Sequence, residues 1–126
     1  MIELAGLKFE ADSIAIELSA LAISAIGLYV IAVIAYILLA YVAGSSFSKV
    51  QNIIVNVVFV SIAGLMVVGT FSFFERAHHF ATLYGSFSRG YFYGLTFMLL
   101  ELLGIVAALI FMFEVRKQEQ QIVKLN

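Results

Sequence analysis

Three long apolar runs divide the chain: Ile14 to Val42, Ile53 to Phe74 and Tyr91 to Val115. The polar interruptions inside them are few. The first holds Glu17 and small hydroxyl residues, the second Asn56, Ser61, Thr70 and Ser72, the third Thr96, Glu101 and Glu114. None of the runs alternates with a period of two, and a lone sheet crossing lipid would leave open edges, so the pattern argues against strands. Each run exceeds the roughly 20 residues that an α-helix needs to cross a hydrocarbon core. The pattern therefore predicts three transmembrane helices. The first run would measure about 44 Å as a helix. It reads as one long, tilted helix protruding at one end, with Asp12 and Ser13 placed to cap its start. A division into two re-entrant pieces around Gly27 is the alternative.

The connections set the order of the helices. The stretch GSSFSK, Gly44 to Lys49, is a short turn with glycine and hydroxyl residues that stop a helix. It makes the first two helices antiparallel neighbours. The second connection, Glu75 to Arg89, is longer and contains both histidines. After Val115 the polar tail, 116–126, continues the third helix for a turn or two. The expected fold is an all-α integral membrane protein of one domain, 1–126, with spans of about 14–42, 53–74 and 91–115 in an up-down-up bundle.

Composition agrees. The chain is 63% hydrophobic and only 12% charged, where soluble domains carry about 25% charged residues. So little charge cannot cover a water-facing surface of this size. A net charge of −1 excludes the basic footprint of a nucleic-acid binder. The absence of cysteine excludes disulfides, thiolate metal sites and cysteine-held iron–sulfur clusters. Without proline the helices lack their usual kink device. The N-terminal MIELAGLKFEAD is mixed and acidic and does not read as a cleavable signal peptide.

Three spans place the N-terminus and the histidine connection on one side, with Lys8, Arg76 and Arg89. The other side has Lys49, Arg116, Lys117 and Lys124. The excess, with the Arg116–Lys117 pair beside the last span, favours a cytoplasmic C-terminus and an outer N-terminus in the cell membrane. Without tryptophan, an interfacial belt must come from tyrosine and phenylalanine. Half of them lie between Phe71 and Tyr93, across one membrane boundary. The same density suits a contact with another membrane subunit.

The third helix has an ordered face. Gly90, Gly94, Phe97, Glu101, Gly104 and Ala108 recur at spacings of three, four and seven and share one side. Small residues let another helix approach closely. Glu101 falls near the middle of the span, where an ionised carboxylate costs at least a few kcal/mol. It is expected to be protonated, paired or hydrogen-bonded, with Asn or Tyr side chains or a neighbouring subunit as partners. Asn52 and Asn56 share a face of helix two, and Tyr29 and Tyr36 share a face of helix one. Interhelical hydrogen bonding is the plain reading of these residues, proton or cation handling the functional one for Glu101.

The histidine stretch FFERAHHFATLYG, 73–85, puts Glu75 three residues before His78 and four before His79. A Glu-x-x-His helix is the repeating unit of carboxylate-bridged di-metal sites, but those need two units and two further glutamates. Adjacent histidines on a helix point about 100° apart, so one chain cannot supply both axial ligands of a haem. A metal or haem shared with another subunit is one reading of Glu75, His78 and His79, and pH sensing is another. The plain reading is a polar loop at headgroup level, whose polar tips reach water.

No nucleophile with a base and no complete ligand set is present. Small multidrug transporters have similar length and a membrane glutamate, but their proline and tryptophan are missing here. In style, though not in motif, the chain resembles the small hydrophobic subunits of multi-subunit membrane enzymes. That resemblance implies a non-catalytic accessory or structural subunit, in a respiratory or monooxygenase-type assembly for example. It would contact lipid, and it would meet other subunits through the small-residue face of helix three and the aromatic histidine loop. The competing expectation is a homo-oligomeric channel or transporter using Glu101.

Overall fold

The computed structural model describes residues 2–83 and 89–125. They form three helices and one tight turn: α1 (Ile2–Ala43), a 3-10 turn at Gly44–Ser46, α2 (Lys49–Thr82) and α3 (Gly90–Leu125). The turn folds α2 back along α1, and α3 packs on both, giving an up-down-up bundle. Each helix is long and apolar enough to cross a membrane. Tyr84 and Phe87, part of the expected aromatic belt, lie outside the described residues.

The helices run further than the apolar runs. Asp12 and Ser13 cap nothing; both lie inside α1, which begins at Ile2. The reason is local. Residues 2–13 contain Leu, Ala, Glu and Lys, good helix formers, with one glycine and no proline to stop them. Hydropathy marks where a helix meets lipid, not where it starts. α1 is also unbroken at Gly27. Its 42 residues correspond to about 63 Å, twice the ~30 Å of a hydrocarbon core. α2 likewise passes Phe74 and ends at Thr82, so His78 and His79 sit on helical turns rather than in a loop. α3 absorbs the polar tail as far as Leu125.

The turn between α1 and α2 is held from two directions. Ser48 opens α2 with a capping box: its hydroxyl accepts from the Gln51 N–H at 3.2 Å, and the Gln51 side chain accepts from the Ser48 N–H at 3.0 Å. From α3, one terminal nitrogen of Arg116 donates to the carbonyls of Gly44 and Phe47 at 2.9 and 2.8 Å. Both carbonyls would otherwise be orphaned where α1 stops.

Buried positions recur at spacings near three and a half in every helix. They include Ala15, Ala22, Ala25, Tyr29 and Tyr36 in α1, Ala63, Val67, Thr70, Phe74 and Ala77 in α2, and Gly94, Glu101, Ile105, Ala108 and Met112 in α3. A seam of this period is the mark of left-handed helix packing. The core gathers around Tyr36 and Phe59, whose rings stack with centroids 4.0 Å apart. Alanine and glycine set the helix separations. A Cβ on Gly90 would stand 2.9 Å from the Phe74 carbonyl oxygen, and one on Gly94 3.0 Å from the Phe74 Cβ, so α2 and α3 touch backbone to backbone at this end.

Candidate functional site

The expected face of α3 is the face turned into the bundle. Gly90, Gly94, Glu101 and Ala108 are buried, and Phe97 and Gly104 are half-buried. At its centre Glu101 is 3% exposed, although an acid there must be compensated. Antiparallel packing brings Thr70, fully buried on α2, to the same level. Its Oγ1 lies 2.9 Å from Glu101 Oε1 and 2.9 Å from the Met66 carbonyl oxygen.

A hydroxyl carries one proton. If Thr70 gives it to the carboxylate, a charged group is left in an apolar interior with one hydrogen bond. Its Oε2 is buried without a partner. If Thr70 instead donates to Met66 one turn back, its oxygen accepts from a protonated Glu101. Both contacts are then true hydrogen bonds and no charge is buried. The second arrangement avoids the several kcal/mol that an uncompensated buried ion costs. In that arrangement Glu101 is a neutral acid donating to Thr70.

Two tyrosines of α1 complete the polar core. The Tyr29 hydroxyl donates to the main-chain carbonyl of Glu101 at 2.6 Å, not to its carboxyl. The Tyr36 hydroxyl donates to Asn56 Oδ1, also at 2.6 Å. Two turns apart on one face, they peg α1 to α3 and to α2 in turn. Gly104 makes room for the first peg, because a Cβ there would collide with the Tyr29 hydroxyl. The carboxyl partner is therefore Thr70, where Asn or Tyr was expected. Sequence carried a usable signal for it: in an antiparallel hairpin the middle of α2 meets the middle of α3. Asn52 stands one turn before Asn56, its Oδ1 buried without a partner.

The remaining candidates lie elsewhere. Glu75 and His79 are exposed on α2, and His78 is half-buried against Gly90 and Tyr91, its Nδ1 buried without a partner. Among the described residues, no three His, Asp or Glu side chains come together as a metal could require. Glu75, His78 and His79 are near in sequence but do not converge.

What the central cluster can do chemically is narrow. An acid, an alcohol and a phenol meet away from the surface, and neither Glu101 nor Thr70 lines any of the main interhelical grooves. The arrangement can fix the register of three helices: one hydrogen bond joins α2 to α3 and the Tyr29 hydroxyl joins α1 to α3. Comparison with family models, with curated proteins and with solved structures found no match.

Proposed function

We propose that this chain is an accessory subunit of a larger membrane assembly, without catalysis of its own, and that it docks through the N-terminal turns of α1. The observation that carries the reading is the reach of that helix. Asp12 shares a groove with Ala81, Arg89 and Gly90, so the ends of α2 and α3 lie at its level. Residues 2–10 extend about 14 Å beyond, and every one of them is exposed. Ile2 is 90%, Leu4 65% and Phe9 76% exposed. Glu3, Lys8 and Glu10 keep this segment out of the hydrocarbon. These turns expose Leu4, Leu7 and Phe9 and gain from a protein surface that covers them. The small-residue face of α3 is filled by this chain's own α1 and α2, so the proposed partner uses the projecting turns and the outer faces.

In this reading Glu101 locks the bundle. A second reading, a homo-oligomeric channel or transporter, is favoured by one observation, the unpartnered Oε2 of Glu101. Native mass spectrometry from mild detergent separates the two. The expected result is a stoichiometric complex with a different polypeptide, lost when residues 2–10 are deleted while helical content and thermal stability of the remaining bundle stay unchanged. A homo-oligomer alone, indifferent to the deletion, would move the conclusion to the second reading.

A further inference from the structure

α2 and α3 touch at Gly90 and Gly94 but part toward the other end, leaving a groove of about 550 Å³. Its inner wall is apolar, with Val57, Val60, Leu109, Met112 and Phe113. Of the polar groups in it, Asn56 Oδ1 accepts from Tyr36 and the Ser61 hydroxyl donates to the Val57 carbonyl at 2.8 Å, while Asn52 Oδ1 is buried without a partner. Arg116 lines its end from α3. On α2, Lys49 shares a helix face with the lining residues Asn52 and Asn56, at spacings of three and four.

Arg116 is held in place and still has capacity. Both of its hydrogen bonds, to Gly44 and Phe47, leave from one terminal nitrogen. A guanidinium has five N–H donors, so the rest of the fork is available. Among the described residues Arg116 forms no ion pair; Glu114 stands two residues before it, and Glu119 shares a second groove with Arg116, Gln120 and Lys124. Arg116 lies about 22 Å along α3 from Glu101. With Glu101 at mid-membrane, that is headgroup level, and the groove runs from there into the hydrocarbon.

We propose that this groove holds one anionic phospholipid, its phosphate between Arg116 and Lys49 and one acyl chain along Val57, Val60, Leu109 and Phe113. A fixed guanidinium with donors to spare above an apolar slot matches a phosphate carried on an alkyl chain. The proposal rests on the membrane-spanning reading and is independent of the identity of any protein partner.

The test uses the full-length chain in detergent with equimolar phosphatidylglycerol and phosphatidylcholine of identical acyl chains, followed by native mass spectrometry. One phosphatidylglycerol is expected to remain bound at collision energies that strip phosphatidylcholine. Arg116→Gln and Lys49→Gln should each weaken that retention about fivefold; the second leaves the turn contacts untouched. Val60→Trp, remote from both charges, should abolish retention by filling the slot. Equal retention of the two lipids overturns the proposal. Undiminished retention in Val60→Trp does so too, because the lipid would then be held by surface charge alone. A protein chain found in the groove in place of lipid also overturns it. Failure of the chain to insert into vesicles, read separately by side-specific labelling, would defeat the spanning reading itself.

Discussion

Gly104→Leu should be among the most damaging single substitutions in this chain. A side chain at 104 enters the space of the Tyr29 hydroxyl, which donates to the Glu101 carbonyl. Overfilling a packed interface costs about 1–3 kcal/mol, and losing the interhelical hydrogen bond adds about 0.6 kcal/mol on membrane scales. Reversible unfolding in mixed micelles would register a loss of about 2–4 kcal/mol. Gly64→Leu is the control: a Cβ at 64 meets nothing within 4 Å, so its bundle should unfold almost as the parent does. Tyr29→Phe in the Gly104→Ala background should recover part of the loss, since it removes the atom that collides. If Gly104→Leu and Gly64→Leu unfold alike, the close packing of α1 on α3 is wrong.

Thr70→Val carries the second large effect and bears on the protonation of Glu101. Valine keeps the shape but removes the carboxyl's hydrogen-bond partner. Leaving a buried polar group unsatisfied costs about 1–3 kcal/mol. Adding Glu101→Leu removes the orphaned group and should return most of that stability, because replacing both partners by apolar groups is nearly neutral. Glu101→Gln in the Thr70 parent should be mild, since an amide donates to the Thr70 oxygen as a protonated acid does. The double-mutant cycle reads the coupling directly. A Glu101→Gln loss as large as that of Thr70→Val would mean that the carboxylate is charged in the bundle, contrary to the proton count at Thr70.

The three helices and the buried face of α3 were legible because they depend on periodicity. Apolar length marks a membrane-sized helix, and the spacing of Gly94, Glu101 and Ala108 marks one side of it. What was missed depends on level and contact. Asp12 and Ser13 resemble a cap by residue type, yet helix propensity on both sides carries α1 through them. The choice of Thr70 over Asn or Tyr for the carboxyl follows from the axial register of α2 against α3, which the Gly44–Ser48 turn and the glycine contacts at Phe74 fix together. The Arg116 contact with the turn was missed for the same reason: the pair is close only once α3 is laid beside the end of α1. Glu75, His78 and His79 form a suggestive spacing, but helical spacing alone does not make three side chains converge.

Three crossings of a membrane are the premise of the proposed docking and lipid binding. The chain has no cysteine, so single cysteines placed at Ala5, Ser46, Thr82 and Ile122, all exposed, can be labelled in sealed vesicles with an impermeant thiol reagent. The account predicts that positions 5 and 82 react from the outside, and positions 46 and 122 only after the cytoplasmic side is opened. Reaction of positions 46 and 82 from the same side would contradict it.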